Sequence, residues 1–222
     1  MAQESGSIVN IDGRQRRSSA LATREKILRA AVEEIADRGY ERARLVDIAE
    51  RADLTVGSVY TWFKNKSDLF NAALEYSIAE QQMSNMKFIE SDRAREMGGE
   101  TNSHWLMLIA SLAPRNTLHN KGPTDAQKLL IEALKSAWRD EESHDTVRPQ
   151  IANLFDQYKV IIENAMETGA IDKALDGNVM ARLFLAFPIG LSLLTLSGLP
   201  DPDPAAYIPF FERFSKTLKP PK

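Results

Sequence analysis

The stretch Leu45–Phe70, reading LVDIAERADLTVGSVYTWFKNKSDLF, decides the fold of this chain. Leu45, Ile48, Ala49 and Ala52 recur at three- and four-residue spacing, so the segment lays one apolar stripe of a short helix against a core. Asp53-Leu54 breaks that pattern. Asp accepts left-handed backbone angles more readily than most residues, and Thr55 is a strong N-cap for a new helix over Val56–Phe63. The stretch therefore predicts a helix, a tight turn and a second helix. In the second helix Val59 and Phe63, four apart, face the core, while Ser58, Tyr60, Thr61, Trp62 and Lys64 crowd donors and aromatic rings onto the remaining surface. Asn65, with Asp68 three residues on, is a capping-box-like start for a third helix, and it places Lys66 at a helix N-terminus, where anions bind.

Such a face suits a DNA major groove. Short side chains there can meet base edges while Tyr, Trp and Lys reach phosphates. Plain packing of helices is the competing explanation of a helix, turn and helix in an all-α chain.

Working outward, Thr23–Gly39 predicts a bracing helix with Ile27, Leu28, Ala31, Ile35 and Ala36 on one face and Gly39 as its stop. Met1–Ala22 is polar and without periodicity, which predicts a flexible basic arm whose Arg14, Arg16 and Arg17 could reach a minor groove or flanking phosphates. On the other side, 70–89 reads as a long connecting helix, with Gly98-Gly99 as a break. His104–Leu112 is densely apolar. Thr124 and Asp125 can both cap the next helix, which carries Leu129, Leu130, Ala133, Leu134, Ala137 and Trp138. Val147, Ile151, Leu154, Tyr158, Ile161 and Ala165 form a packed seam at alternating four- and three-residue spacing. Leu183–Leu199 lacks a charged side chain but falls short of a membrane span, and Pro188 and Gly190 interrupt it, so a buried helix at a subunit interface explains it better than a bilayer does. A last amphipathic helix covers Ala205–Leu218.

The chain has 222 residues, 43% of them hydrophobic, enough for one large or two modest cores. It contains no cysteine, which excludes disulfides and thiolate metal sites, and its start lacks the apolar run of a signal peptide, so a cytoplasmic setting is expected. Net charge is −3, unevenly spread: the first seventy residues hold twelve Lys and Arg against eleven Asp and Glu, the remainder sixteen against twenty. That polarity has the direction DNA binding needs, but it is weak, so local placement of charge must matter more. His104, His119 and His144 include no metal-binding i, i+4 pair, and neither a phosphate loop nor a nucleophile elbow is present. No catalytic residue, metal site or cofactor is expected, and the chain is not read as an enzyme.

Asp47-Ile48-Ala49, Tyr60-Thr61-Trp62-Phe63 and Asn65-Lys66-Ser67-Asp68-Leu69 together resemble the TetR family of bacterial transcriptional regulators, over Thr23 to about Leu74. The rest of the chain is similar to that family only in length and helical layout. Three positions depart from the family pattern. Ala43-Arg44 stands where a capping Thr or Ser commonly opens the second helix, Asp53 where a turn Gly is common, and Trp62 where a His often precedes the Phe. Gly57 inside the recognition helix costs about 1 kcal/mol relative to Ala, which is reasonable if the backbone must approach DNA closely.

The resemblance implies an all-α protein: residues 1–22 as the arm, 23–70 as a three-helix unit with the helix-turn-helix, and 71–222 as a helical domain for effector binding and dimerisation. It implies a homodimeric repressor on double-stranded DNA with an inverted-repeat operator, released by a small, largely apolar effector, without a membrane. Thr55, Val56, Gly57, Ser58 and Thr61 fall on the DNA-facing helix, with Arg44, Tyr60, Trp62 and Lys66 placed for the backbone. His104, Trp105, Leu108, Trp138, Phe155, Tyr158 and Phe184 are the effector candidates. The segments Val147–Gly169 and Asp176–Gly198 would pair with the same two from a second subunit in a four-helix bundle. The alternative is a helical ligand-binding or interaction protein with a vestigial helix-turn-helix, favoured by Asp53 and the weak charge polarity.

Overall fold

Asp53 adopts φ 56°, the left-handed value anticipated for the turn, and is the single non-glycine residue to do so among those described. Its N–H donates to Glu50 O at 3.0 Å and that of Leu54 to Ala49 O at 2.9 Å, so the turn closes the end of one helix before Thr55 opens the next. The computed structural model describes residues 8–89, 123–139, 141–200, 202 and 204–221, and within them every regular element is a helix. These are α1 (Ile8–Arg38), α2 (Leu45–Arg51), α3 (Val56–Trp62), α4 (Lys66–Ile89), α5 (Asp125–Arg139), α6 (Glu141–Glu167), α7 (Gly177–Leu196) and α8 (Pro204–Thr217).

The chain divides into two compact units, 1–76 and 77–222, with the division inside α4 rather than at residue 70. In the first unit, Ile27, Leu28, Ala31 and Ile35 of α1, Ile48 and Ala49 of α2, Val59 of α3, and Leu69, Phe70, Ala73 and Leu74 of α4 form the core, all but buried. Gly39, at φ 78°, ends α1 as its sequence position predicts. The start of α1 differs from expectation. The helix begins at Ile8, so 8–22 continues α1 where a flexible arm was anticipated. That segment lacks an apolar stripe, and its helical state follows from continuity with a nucleated helix: adding residues to an existing helix avoids the nucleation cost.

The second unit packs α5, α6 and α7 against one another, and Phe214 of α8 packs on their buried cluster. Ile162, Ala165, Ile171, Met180, Ala181, Phe184 and Leu218 form a buried cluster flanked by Phe155, Tyr158, Met166 and Phe214. α7 is long and apolar enough to cross a membrane by length and composition alone. One of its faces buries Met180, Ala181, Phe184 and Ser192, and the other leaves Val179, Leu183, Phe187 and Leu194 uncovered. The predicted helix at His104–Leu112 and the Gly98-Gly99 break lie outside the described residues.

Candidate nucleic-acid interface and effector cavity

α3 is fixed by short-range bonds. Thr55 Oγ1 accepts the Ser58 N–H at 3.2 Å and lies 2.9 Å from Ser58 Oγ, and the Thr61 hydroxyl donates to Gly57 O at 3.0 Å. Val59 and Phe63 are buried, as their spacing requires. What remains outward is Thr55, Gly57, Tyr60, Thr61, Trp62 and Lys64, with Val56 and Ser58 half-buried. Tyr60 is 55% and Trp62 36% exposed, unusual for aromatic rings with a core within reach. A Cβ added at Gly57 would meet only Thr55 Oγ1, at an ordinary 3.8 Å. Packing inside the unit therefore does not require a glycine there.

The flanking cations are already engaged. Arg44 precedes α2 as its N-cap residue without a side-chain cap bond, and its guanidinium grips Asp47 through two bonds of 2.8 Å. Hydrogen bonding to Asp47 raises the Arg44 pKa, and the same bond lowers that of Asp47 below the ordinary carboxylate value. Lys66 donates to Glu41 O at 3.0 Å and sits 4.7 Å from the Tyr40 ring centroid, while Tyr40 in turn packs on Phe70. Burial pushes the Lys66 pKa down. Asn65 caps α4 as predicted, its Oδ1 accepting the Asp68 N–H at 2.8 Å, and Asp68 Oδ2 accepts the Lys64 N–H at 2.9 Å.

Arg51 ties this surface to the brace. It reaches Glu34 and Asp37 of α1 at 2.9 Å each and Glu33 at 3.5 Å. Glu34 is 1% exposed and also pairs with Arg38 at 2.9 Å. Burial alone would push the Arg51 guanidinium down, and its bonds to Asp37 and Glu34 more than reverse this, so its pKa is raised. At the other end of α3, the Arg24 guanidinium lies 5.7 Å from the Phe63 ring centroid. α1 thus grips both the helix before the turn and the end of the one after it.

The second unit holds a cavity of about 540 Å³. Its wall is built from Ser77, Ile78, Gln81 and Gln82 of α4, Ala126, Gln127 and Leu130 of α5, Leu154, Asp156, Gln157, Tyr158, Val160 and Ile161 of α6, and Leu185, Pro188, Ile189 and Ser192 of α7. The size is that of a site for a small organic molecule, and the surface is mainly hydrocarbon with scattered amides and hydroxyls. Of the effector candidates, Tyr158 lines it. Phe155 packs on the neighbouring buried cluster, and Phe184 is inside that cluster, edge-on to Phe214 with centroids 6.2 Å apart. Trp138 on α5 is 86% exposed and is not a wall residue. His104, Trp105 and Leu108 lie outside the described residues. The glutamines were missed because a search for aromatic rings passes over amides, which look like a solvated face. Their spacing was a usable signal: Ser77, Ile78, Gln81 and Gln82 share one side of α4. Among the described residues no cluster of His, Cys, Asp and Glu could hold a metal ion.

The sequence model of bacterial regulatory proteins of the tetR family matches residues 27–73, which runs from the last third of α1 to the first third of α4. The HTH-type transcriptional regulator TtgR of Pseudomonas putida is 40% identical over 62 residues, 28% of this chain and 30% of that protein. The other curated regulators are matched over similarly small shares of their length, 25% for the first of them. Solved structures extend the likeness to the whole fold. A protein of Rhodococcus sp. assigned as a TetR-family transcriptional regulator superposes with TM-score 0.71 at 24% identity, covering 89% of this chain and 98% of that one. The transcriptional regulator FadR of Bacillus subtilis, solved in complex with stearoyl-CoA, gives TM-score 0.58 at 19% identity over 86% and 96%. Residues 27–73 thus match bacterial regulatory proteins of the tetR family in sequence, and the helical fold of the chain matches solved TetR-family structures.

Proposed function

We propose that the protein is a cytoplasmic, ligand-responsive transcriptional repressor that binds an inverted-repeat operator as a homodimer and is released by a small, largely apolar effector. The observation that carries this reading is the outward surface of α3: two half-exposed aromatic rings, hydroxyls and a glycine that packing within the unit does not need, on a helix held firmly by its cap and by α1. In this reading Thr55, Val56, Gly57 and Ser58 meet base edges, with Thr61 beside them. Tyr60 and Trp62 lie against the sugar-phosphate backbone. Lys66 spends one of its three N–H groups on Glu41 O and keeps two for a phosphate. Arg44, itself exposed, can turn from the half-buried Asp47 carboxylate to a phosphate.

Dimerisation through α6 and α7 is supported by the uncovered stripe Val179, Leu183, Phe187 and Leu194, which a second copy of α7 would cover. A two-fold dimer would present its α3 helices to half-sites about one helical turn apart. The cavity in 77–192 supports effector binding, and the FadR neighbour is solved with stearoyl-CoA, a ligand that carries a long apolar acyl chain on a charged nucleotide carrier. An effector that binds one subunit arrangement better than another would shift the population away from the DNA-competent one.

A second reading, the ligand-binding protein with a vestigial helix-turn-helix, gains from Arg44 and Lys66 both being engaged inside the unit. Selection of bound duplexes from a random DNA library with the purified full chain separates the two. A palindromic consensus establishes the regulator. Recovery of unpatterned DNA whose binding vanishes with modest salt would overturn it in favour of the second reading.

A further inference from the structure

The cavity in the second unit has a polar patch, and the patch is made of amides. Gln82 on α4 donates through Nε2 to Oε1 of Gln157 on α6, and Gln157 Nε2 donates to Asn153 Oδ1 at 2.9 Å. Both glutamines are wall residues. By valence each amide nitrogen keeps a second N–H, and Gln82 keeps its carbonyl oxygen, so donor and acceptor sit side by side. Most of the remaining wall is hydrocarbon, Ile78, Leu130, Leu154, Ile161, Leu185 and Ile189 among it, with the neutral polar groups of Ser77, Gln81, Gln127, Tyr158 and Ser192 between. The one ionisable acid or base among the described wall residues, apart from the Tyr158 phenol, is the exposed Asp156, which is negative.

These facts discriminate between ligand classes. A carboxylate or phosphate moved into such a wall loses its hydration, meets no cation among the described wall residues, and is repelled by Asp156. An amide or hydroxyl exchanges its water hydrogen bonds for bonds to the glutamine pair, and an ordinary hydrocarbon tail fills the rest. We infer that the cavity takes a neutral molecule, apolar over most of its length and ending in a group that both donates and accepts hydrogen bonds, a primary amide or an alcohol, docked on Gln82 and Gln157. This rests on the regulatory reading above and adds the chemical class of the effector to it.

The test uses four probes of one chain length, decanamide, 1-decanol, decanoate and decylamine, titrated calorimetrically into the full chain without DNA, at a pH where the acid is ionised and the amine protonated. Decanamide and 1-decanol are expected to bind about tenfold or more tightly than decanoate. Replacing both glutamines, Gln82→Leu with Gln157→Leu, should shrink the advantage of decanamide to within about threefold while leaving the cavity able to hold a tail. Decanoate binding as tightly as decanamide in the wild-type chain would overturn the inference. So would a preference for decylamine, which would assign the polar end to Asp156, and so would failure of all four to bind. The wild-type comparison stands even if the double variant does not fold. A palindromic consensus recovered from the DNA selection would leave the regulator in place in each of these cases, so the two failures can be told apart.

Discussion

The turn between α2 and α3 and the outer face of α7 are organised on opposite terms. Around the turn, the fixing bonds come from within a few residues: Asp53 and Leu54 back to α2, and Thr55 forward to Ser58. On α7 the local bonds sit at the ends, with Asp176 Oδ1 accepting the N–H groups of Asn178 and Val179 at 2.8 and 3.0 Å and the N–H groups of Ser197 and Leu199 returning to Leu193 O and Leu194 O at 3.0 and 3.1 Å. Its remaining surface is settled by other helices on one side and left bare on the other. One region is thus shaped mainly by bonds within a few residues, with Arg51 and Arg24 bracing it on α1, and the other carries an apolar face that the proposed dimer would cover. Each expectation below either breaks that contrast or sharpens it.

The largest effect belongs to the bare face. Leu183 and Phe187 are 49% and 36% exposed and one turn apart, so Leu183→Asp with Phe187→Asp places two charges at the centre of the proposed interface without touching the buried side. Light scattering should show a dimer for the wild type and a monomer for the variant, and affinity for a palindromic operator should fall at least about 100-fold, since two half-sites would no longer be bound together. The isolated fold should persist by circular dichroism. A variant that remained dimeric would remove the contrast altogether.

Next is the ion cluster that joins α2 to α1. Arg51→Ala leaves Glu34, 1% exposed, with Arg38 as its partner and strips Asp37 of its own. Removing one of the two partners of a buried charge should cost about 1–2 kcal/mol, less than unpairing it outright. Urea unfolding followed by Trp62 fluorescence, in a background with Trp105→Phe and Trp138→Phe, should detect that loss in the first unit. Stability unchanged within about 0.5 kcal/mol would mean that Arg38 alone satisfies Glu34.

The caps then make the comparison directly. Thr55→Ala and Asp176→Ala each remove one N-cap, so each should cost about 1 kcal/mol of stability. Their effects on DNA should diverge. Thr55→Ala loosens the start of α3 and weakens operator binding, while Asp176→Ala leaves operator affinity within about threefold if the dimer survives. Equal losses of DNA affinity would show that the two regions are not as separable as their bonding suggests.

These sites also show what the sequence could disclose. The left-handed Asp53, the Thr55 cap, the Asn65 cap with Asp68, the buried Val59 and Phe63, and the Gly39 stop were all readable, because each depends on residues within about four positions. The helical state of 8–22 was not, because it follows from extension of α1 rather than from any pattern of its own. Lys66 read as a phosphate anchor from its helix position, and its bond to Glu41 O crosses 25 residues of sequence, beyond any local rule. The cavity wall combines four helices, so which polar residues converge on it is decided by packing. That is why Tyr158 was found there, Trp138 was not, and Gln82 and Gln157 went unnoticed.

The smallest expected effect is the most discriminating. Gly57 is an exposed glycine within a seven-residue helix, with an ordinary φ and room for a Cβ 3.8 Å from its nearest neighbour. Alanine at such a position should stabilise the unit by about 0.5 kcal/mol, because it restricts the unfolded chain and suits the helix better. If α3 met nothing, selection for stability alone would favour the change. In the proposed complex the added methyl stands between the α3 backbone and the groove, so Gly57→Ala should raise the unfolding midpoint while lowering operator affinity by about tenfold. A gain in both would take DNA away from this face of α3. A gain in stability paired with a loss of binding would show that the missing side chain at Gly57 serves the groove rather than the fold.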